Sequence, residues 1–226
     1  MNWEYLRGLP LIYQIIIVAL VILGTLYSII LHEIAHGYAA FIGGDPTAKE
    51  SGRLSFNPIK HIDPIGTLAL PGALILLNSI FGMHLPVFGW AKPVPVNPMN
   101  LRTKRDMTLV SLAGILMNFA IMLFMLLIIF IIVRFIPGAM FLLIAFILIG
   151  AINILLIVFN ILPLPPLDGF NFLLSVLPAK QAGWLDKNKK ILFGVLFALI
   201  FFGLVQYIYT PVFWLYEQLI NIILRS

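Results

Sequence analysis

The sequence predicts an all-α polytopic membrane protein with four main transmembrane helices, a re-entrant hairpin and a small membrane-associated β element. Three observations predict it. Of 226 residues, 62% are hydrophobic and 10% charged, against about 45–50% and about 25% in an average soluble domain. A sphere this small cannot keep so much apolar side chain from water, and the same figures exclude disorder. The apolar residues fall in runs of membrane-spanning length. Finally, the net charge of +5 comes from 14 basic against 9 acidic residues, and the basic ones sit in short connections between apolar runs. Membrane topology places them there; no nucleic-acid partner is implied, and the lipid bilayer is. Cysteine is absent, so any metal must be held by His, Asp or Glu.

The elements follow in order. Met1 to Gly8, with Trp3, Tyr5 and Arg7, reads as an interfacial anchor. Leu11 to about Ile42 is the first helix, too long for a signal peptide. At 1.5 Å per residue it would measure about 50 Å against a hydrocarbon core of roughly 30 Å, so it tilts or protrudes. Gly43 to Pro64 is polar, and Ala48 to Phe56 within it is short and mixed, more like a strand or hairpin than a helix. Ile65 to Phe81 is apolar but short, and Pro71, Gly72 and Asn78 interrupt it. Gly89 to Pro98 (GWAKPVPVNP) must be extended, because closely spaced prolines forbid helix. Thr108 to Phe135 and Met140 to Leu162 span the membrane, and Asn160 to Gly169 then breaks the helix inside apolar surroundings. Lys180 to Lys190 is a basic connection, Ile191 to Tyr209 spans again, and Pro211 separates it from an amphipathic tail. Residues 1–226 read as one domain, with a catalytic core at about 11–177 and a C-terminal helix and tail at 178–226.

Counting basic residues orients the chain. If Ile65–Phe81 crosses fully, the best orientation places nine of the 14 basic residues inside and leaves Lys49, Arg53, Lys60, Arg134 and Arg225 outside. If it enters and leaves on one side, only Arg7, Arg134 and Arg225 of the 14 remain outside. The re-entrant arrangement has the stronger bias, and a Pro/Gly-interrupted segment suits it.

His32-Glu33-Ile34-Ala35-His36 matches H-E-x-x-H. Histidines at i and i+4 share a helix face, so both imidazoles can meet one metal ion, with Glu33 beside a metal-bound water. The alternative is a hydrogen-bonded pair of helix histidines, but ionisable groups inside a membrane run are costly and by default functional. A third ligand is needed. The position six beyond His36 is Ile42, so the metzincin continuation fails. Asp45, Glu50, His61 and Asp63 belong to the polar connection, His84 lies near an interface, and Asp106 reads as an N-cap. Asp186 lies among lysines and Glu217 on the tail. Asp168 differs: Pro163, Pro165, Pro166 and Gly169 force irregular backbone around it, which survives at membrane depth only in protein or beside a wet cavity. A divalent cation would serve this carboxylate; a helix cap near the surface is the other reading.

These residues resemble the site-2 protease family of intramembrane zinc metalloproteases, through His32-Glu33-x-x-His36 and Asn160-x-x-Pro163-x-x-x-x-Asp168-Gly169. Gly52 to Thr67 and GWAKPVPVNP also look like compact members, and no polar stretch would hold a PDZ-like or CBS-like domain. One departure is visible: Ala113-Gly114-Ile115 stands where the family usually has Ala-Gly-Pro. The resemblance implies one Zn²⁺ held by His32, His36 and Asp168, with Glu33 as general base, acting on transmembrane protein substrates in a prokaryotic cytoplasmic membrane. It also gives Asn160 a place on substrate backbone or the developing oxyanion; an interhelical hydrogen bond is the plain alternative. Asn118 is read as a packing residue. Strand addition by Ala48–Phe56 or Pro93–Val96 could clamp an extended peptide. A metal-carrying transporter and a silent helix-binding scaffold are the rival functions, and the sequence is silent on oligomeric state.

Overall fold

A computed structural model describes residues 8–82, 89 and 91–225; the expected anchor at Met1–Arg7 and His84 lie outside them. The helices are α1 (Leu11–Ile42), α2 (Thr47–Glu50), α3 (Leu70–Phe81), α4 (Lys104–Phe135), α5 (Leu143–Asn160), α6 (Asp168–Val176), α7 (Ala179–Lys187), α8 (Lys189–Phe201) and α9 (Gln206–Arg225). Four stretches are long and apolar enough to cross a membrane: Leu11–Ile42, Pro64–Phe81, Lys104–Phe135 and Pro137–Asn160. The described residues are all-helical, and the protein is multi-pass.

α1, α4 and α5 form the bundle, with α9 packed across α4 and α5. Lipid tails offer no hydrophobic drive between helices, so close approach and buried polar bonds must hold them. A Cβ on Gly24 of α1 would lie 2.8 Å from the Cγ1 of Ile149 on α5. Asn153 Nδ2 on α5 donates to Ser28 Oγ on α1 at 2.8 Å. Tyr216 of α9 lies against Gly150, and its hydroxyl donates to Ile147 O at 3.1 Å.

Several expectations need correcting. Residues 48–56 form no strand; Asp45 accepts from Thr47 N at 3.1 Å and starts the single turn of α2, which ends before Gly52 at φ +64. Nor is there a strand at Pro93–Val96, whose neighbours are side chains rather than a second extended segment. Asp106 is not the N-cap of α4. Thr103 is, and Asp106 completes the capping box from the third helical position, so the helix starts at Lys104. The basic connection at 180–190 is helical, because Pro178 precedes a competent run. The expected span at 191–209 is broken instead at Phe202–Val205, where Gly203 adopts φ +67, and α8 and α9 meet at 61°. Pro211 lies inside α9. Pro64–Phe81 is one helical stretch, π-helical over Pro64–Ala69, rather than a hairpin up to that point.

The loops between α1 and α4 carry the second organising contact. Asp45 is fully buried. Its carboxylate accepts from the Thr47 hydroxyl and N–H, from Asn97 N at 2.7 Å and from Asn100 Nδ2 at 2.9 Å. Burial works against its ionisation, but these donors hold its pKa below the ordinary 3.8. A depressed carboxylate pKa gives stability that is present above 3.8 and lost as pH falls through the folded-state value. The thermal midpoint in detergent should therefore drop on acidification below that value. Asp45→Asn should start lower at neutral pH and lose less over the same interval; parallel acid limbs would contradict this.

Candidate metal centre

α1 places His32 and His36 on successive turns facing α4, with Glu33 one step round the helix. The imidazoles meet edge to face, with centroids 4.7 Å apart, and their Nε2 atoms are 3.1 Å from one another. Asp168 is the first residue of α6 and points into this pair instead of capping its helix. Its Oδ2 lies 3.1 Å from His36 Nε2 and 3.2 Å from His32 Nε2. Gly169 makes that position possible, since a Cβ there would stand 2.6 Å from the Leu162 carbonyl oxygen. His32, His36 and Asp168 are the one such metal-competent group among the described residues.

The triangle has the dimensions of a tetrahedral site. Zinc bonds of about 2.0–2.1 Å set neighbouring ligand atoms about 3.3 Å apart, against 3.1, 3.1 and 3.2 Å here. The far side of each ring fixes which nitrogen faces inward. His36 Nδ1 lies 2.7 Å from Val110 O on α4; a carbonyl only accepts, so Nδ1 carries a proton, and in the neutral tautomer with that proton the Nε2 lone pair turns inward. His32 Nδ1 lies 3.0 Å from the side-chain amide of Asn118, also on α4, whose buried Oδ1 otherwise has no partner. Amide oxygen and nitrogen exchange places by a half-turn. With oxygen toward the ring, Asn118 accepts Nδ1–H and His32 also offers its Nε2 lone pair.

Asn118 is thus no mere packing residue. Val110, Gly114 and Asn118 form one stripe along α4 at spacings of four. A Cβ on Gly114 would stand 2.5 Å from His32 Cε1, 2.7 Å from His32 Nδ1 and closer still to His36 Nε2. The stripe supplies a carbonyl, a gap and an amide. A lone Asn four residues after a Gly in an apolar helix was the sequence signal for it.

The triangle opens on a cavity of about 810 Å³. Glu33 lines it without joining the triangle, and its Oε2 accepts from Val94 N at 2.8 Å. Asn160, the last residue of α5, lines the same cavity; its Nδ2 donates to Leu156 O within its own helix at 3.0 Å, so it makes no interhelical bond there. Phe193, Leu196, Phe197 and Ile200 of α8 form an apolar wall. Chemically, the arrangement offers two imidazoles and a carboxylate for a divalent cation, a second carboxylate beside them tied through one oxygen, and a mostly apolar chamber.

Among known proteins, the chain is 34% identical over 210 residues to "Putative zinc metalloprotease YwhC" of Bacillus subtilis, covering 89% of each. It is 31% identical to "Putative zinc metalloprotease Rip2" of Mycobacterium tuberculosis, over 92% of this chain and 76% of that one. The Rip2 protein of Mycolicibacterium smegmatis is 30% identical over 88% and 73%. No family model matches the chain, and no solved structure matches it.

The α4 stripe gives a direct test. Gly114→Ala should push both rings out of line and weaken zinc affinity by about 10–100-fold, read by competition with a chelating dye. Unaltered affinity would mean that the helices separate to accept the methyl group.

Proposed function

This chain belongs to the site-2 protease family of zinc metalloproteases, and from that membership we propose that it is an endopeptidase that cuts transmembrane segments of membrane proteins within the bilayer. The observation that carries the reading is the convergence of His32, His36 and Asp168 on one point at the wall of a chamber that also holds Glu33.

His32, His36 and Asp168 would hold a single zinc ion. Such an ion would supply Lewis acidity toward a carbonyl and lower the pKa of water toward about 7. Glu33 is the general base: it takes a proton from the attacking water and returns it to the leaving amine nitrogen. Val110 O and Asn118 hold the imidazoles in the tautomer that keeps their Nε2 lone pairs inward. Asn160 keeps one N–H after bonding Leu156 O and presents it to the substrate backbone. The α8 wall receives apolar side chains and limits water to what the reaction consumes. The 226 residues act as one domain, the chamber drawing on 11–177 and on α8.

Pro64–Phe81 enters from the cytoplasmic face as one helix, and the chain is back at that face by Gly89. Gly89 lies against Gly66 and Pro71, at the base of that helix, and Lys92 N donates to His61 O at 2.9 Å. Seven residues after Gly82 the chain is back where the helix began. This arrangement puts the basic connections together on the cytoplasmic side of a prokaryotic cell membrane.

The test is purified protein in detergent with a single-span substrate and zinc. Glu33→Gln should retain zinc and lose cleavage by at least about 10²-fold; a variant that cuts at the wild-type rate would end the protease reading.

A further inference from the structure

An extended strap, Lys92–Asn97, crosses the chamber beside Glu33 and is fastened at both ends by buried charged groups that have no ion-pair partner among the described residues. At one end Arg53, 8% exposed, donates from Nη2 to Lys92 O at 2.5 Å and to Pro93 O at 3.3 Å. At the other, Asp45 accepts from Asn97 N at 2.7 Å. Between them, Val94 is buried against α1. A Cβ on Gly37, one turn after Glu33, would stand 2.7 Å from Val94 Cγ1, so the glycine is what lets the strap come so near. Pro93 and Pro95 have no N–H, leaving Val94 as the donor at the strap's midpoint, and it donates to Glu33 Oε2.

Burying a guanidinium without a carboxylate is expensive unless its protons are taken up. Here Nη2 gives its protons to the Lys92 and Pro93 carbonyls, whose next peptide N–H is the one on Glu33, while Nε has no partner among the described residues. A carboxylate rotates about its terminal bond unless one oxygen is tied, and a base must meet its proton within hydrogen-bond reach. We propose that the strap sets the catalytic base. Val94 N–H holds Oε2 so that Oε1 faces the attacking water, and Arg53 is a positioning residue that acts on Glu33 through the strap. The inference rests on the protease reading above and adds to it a residue twenty positions from the base.

The experiment compares Val94→Pro, which removes the hydrogen, with Val94→Ala, which keeps it, in the full-length protein with zinc content measured for each. With zinc retained, Val94→Pro should lower kcat about thirtyfold below Val94→Ala, with KM within about threefold. Equal kcat values for the two would overturn the inference. Should Val94→Pro lose zinc, the Arg53 pair decides. Arg53→Met should lower kcat about tenfold at unchanged zinc content, and Arg53→Lys should restore most of it. A rise in KM at constant kcat in Arg53→Met would instead show a strap that serves substrate binding alone, and would equally overturn it. Glu33→Gln, run alongside, separates the two levels. If it cleaves normally the protease reading fails; if it is inactive while the Val94 variants match, only the strap inference fails.

Discussion

Two imidazole nitrogens and a carboxylate oxygen stand within 3.2 Å of one another at the centre of this protein. The His36 proton is committed to Val110 O, and Asp168 as a carboxylate has none to offer. Such a cluster in an apolar bundle is tolerable only around a positive charge. Much of the surrounding architecture can be read as what is needed to keep it in place: a glycine where α4 passes over the rings, an amide and a carbonyl behind them, and a glycine where the chain turns to deliver the aspartate.

The division of labour among helices follows from this. α1 carries the two imidazoles on one face because a helix repeats its side chains every three to four residues, and Glu33 stands one step round from them. α4 contributes almost nothing reactive. It contributes shape and tautomer control, through a side chain, a main-chain oxygen and an absence of side chain at equal intervals. α6 adds one carboxylate, and α8 adds a wall. Loops on the far side of α1 then hold Glu33 from a direction the bundle does not occupy.

The sequence made the centre legible because its motifs combine ionisable residues with an apolar setting, a costly combination that has few structural explanations. The structure brings His32, His36 and Asp168 together, and Glu33 and Asn160 line the same chamber. What escaped was non-local or main-chain in character. The Val110 carbonyl leaves no mark in a sequence, and Arg53 looks like any connection cation until Lys92 and Pro93 are folded against it. Residues 48–56 misled because a short mixed stretch carries no period; Asp45, just before it, decides the turn. Pro211 misled because a proline is the more conspicuous breaker, whereas Gly203 takes the positive φ.

The separation between His36 and Asp168, 132 positions, has a consequence for assembly. An ion joining them would act as a removable cross-link that ties the beginning of the chain to its second half. It closes a loop whose entropy cost rises only with the logarithm of its length. Ligands that bind the native state alone add their own affinity to its stability. Loading with such an ion and locking of the bundle would then be one event, and a molecule without it would be held together less firmly.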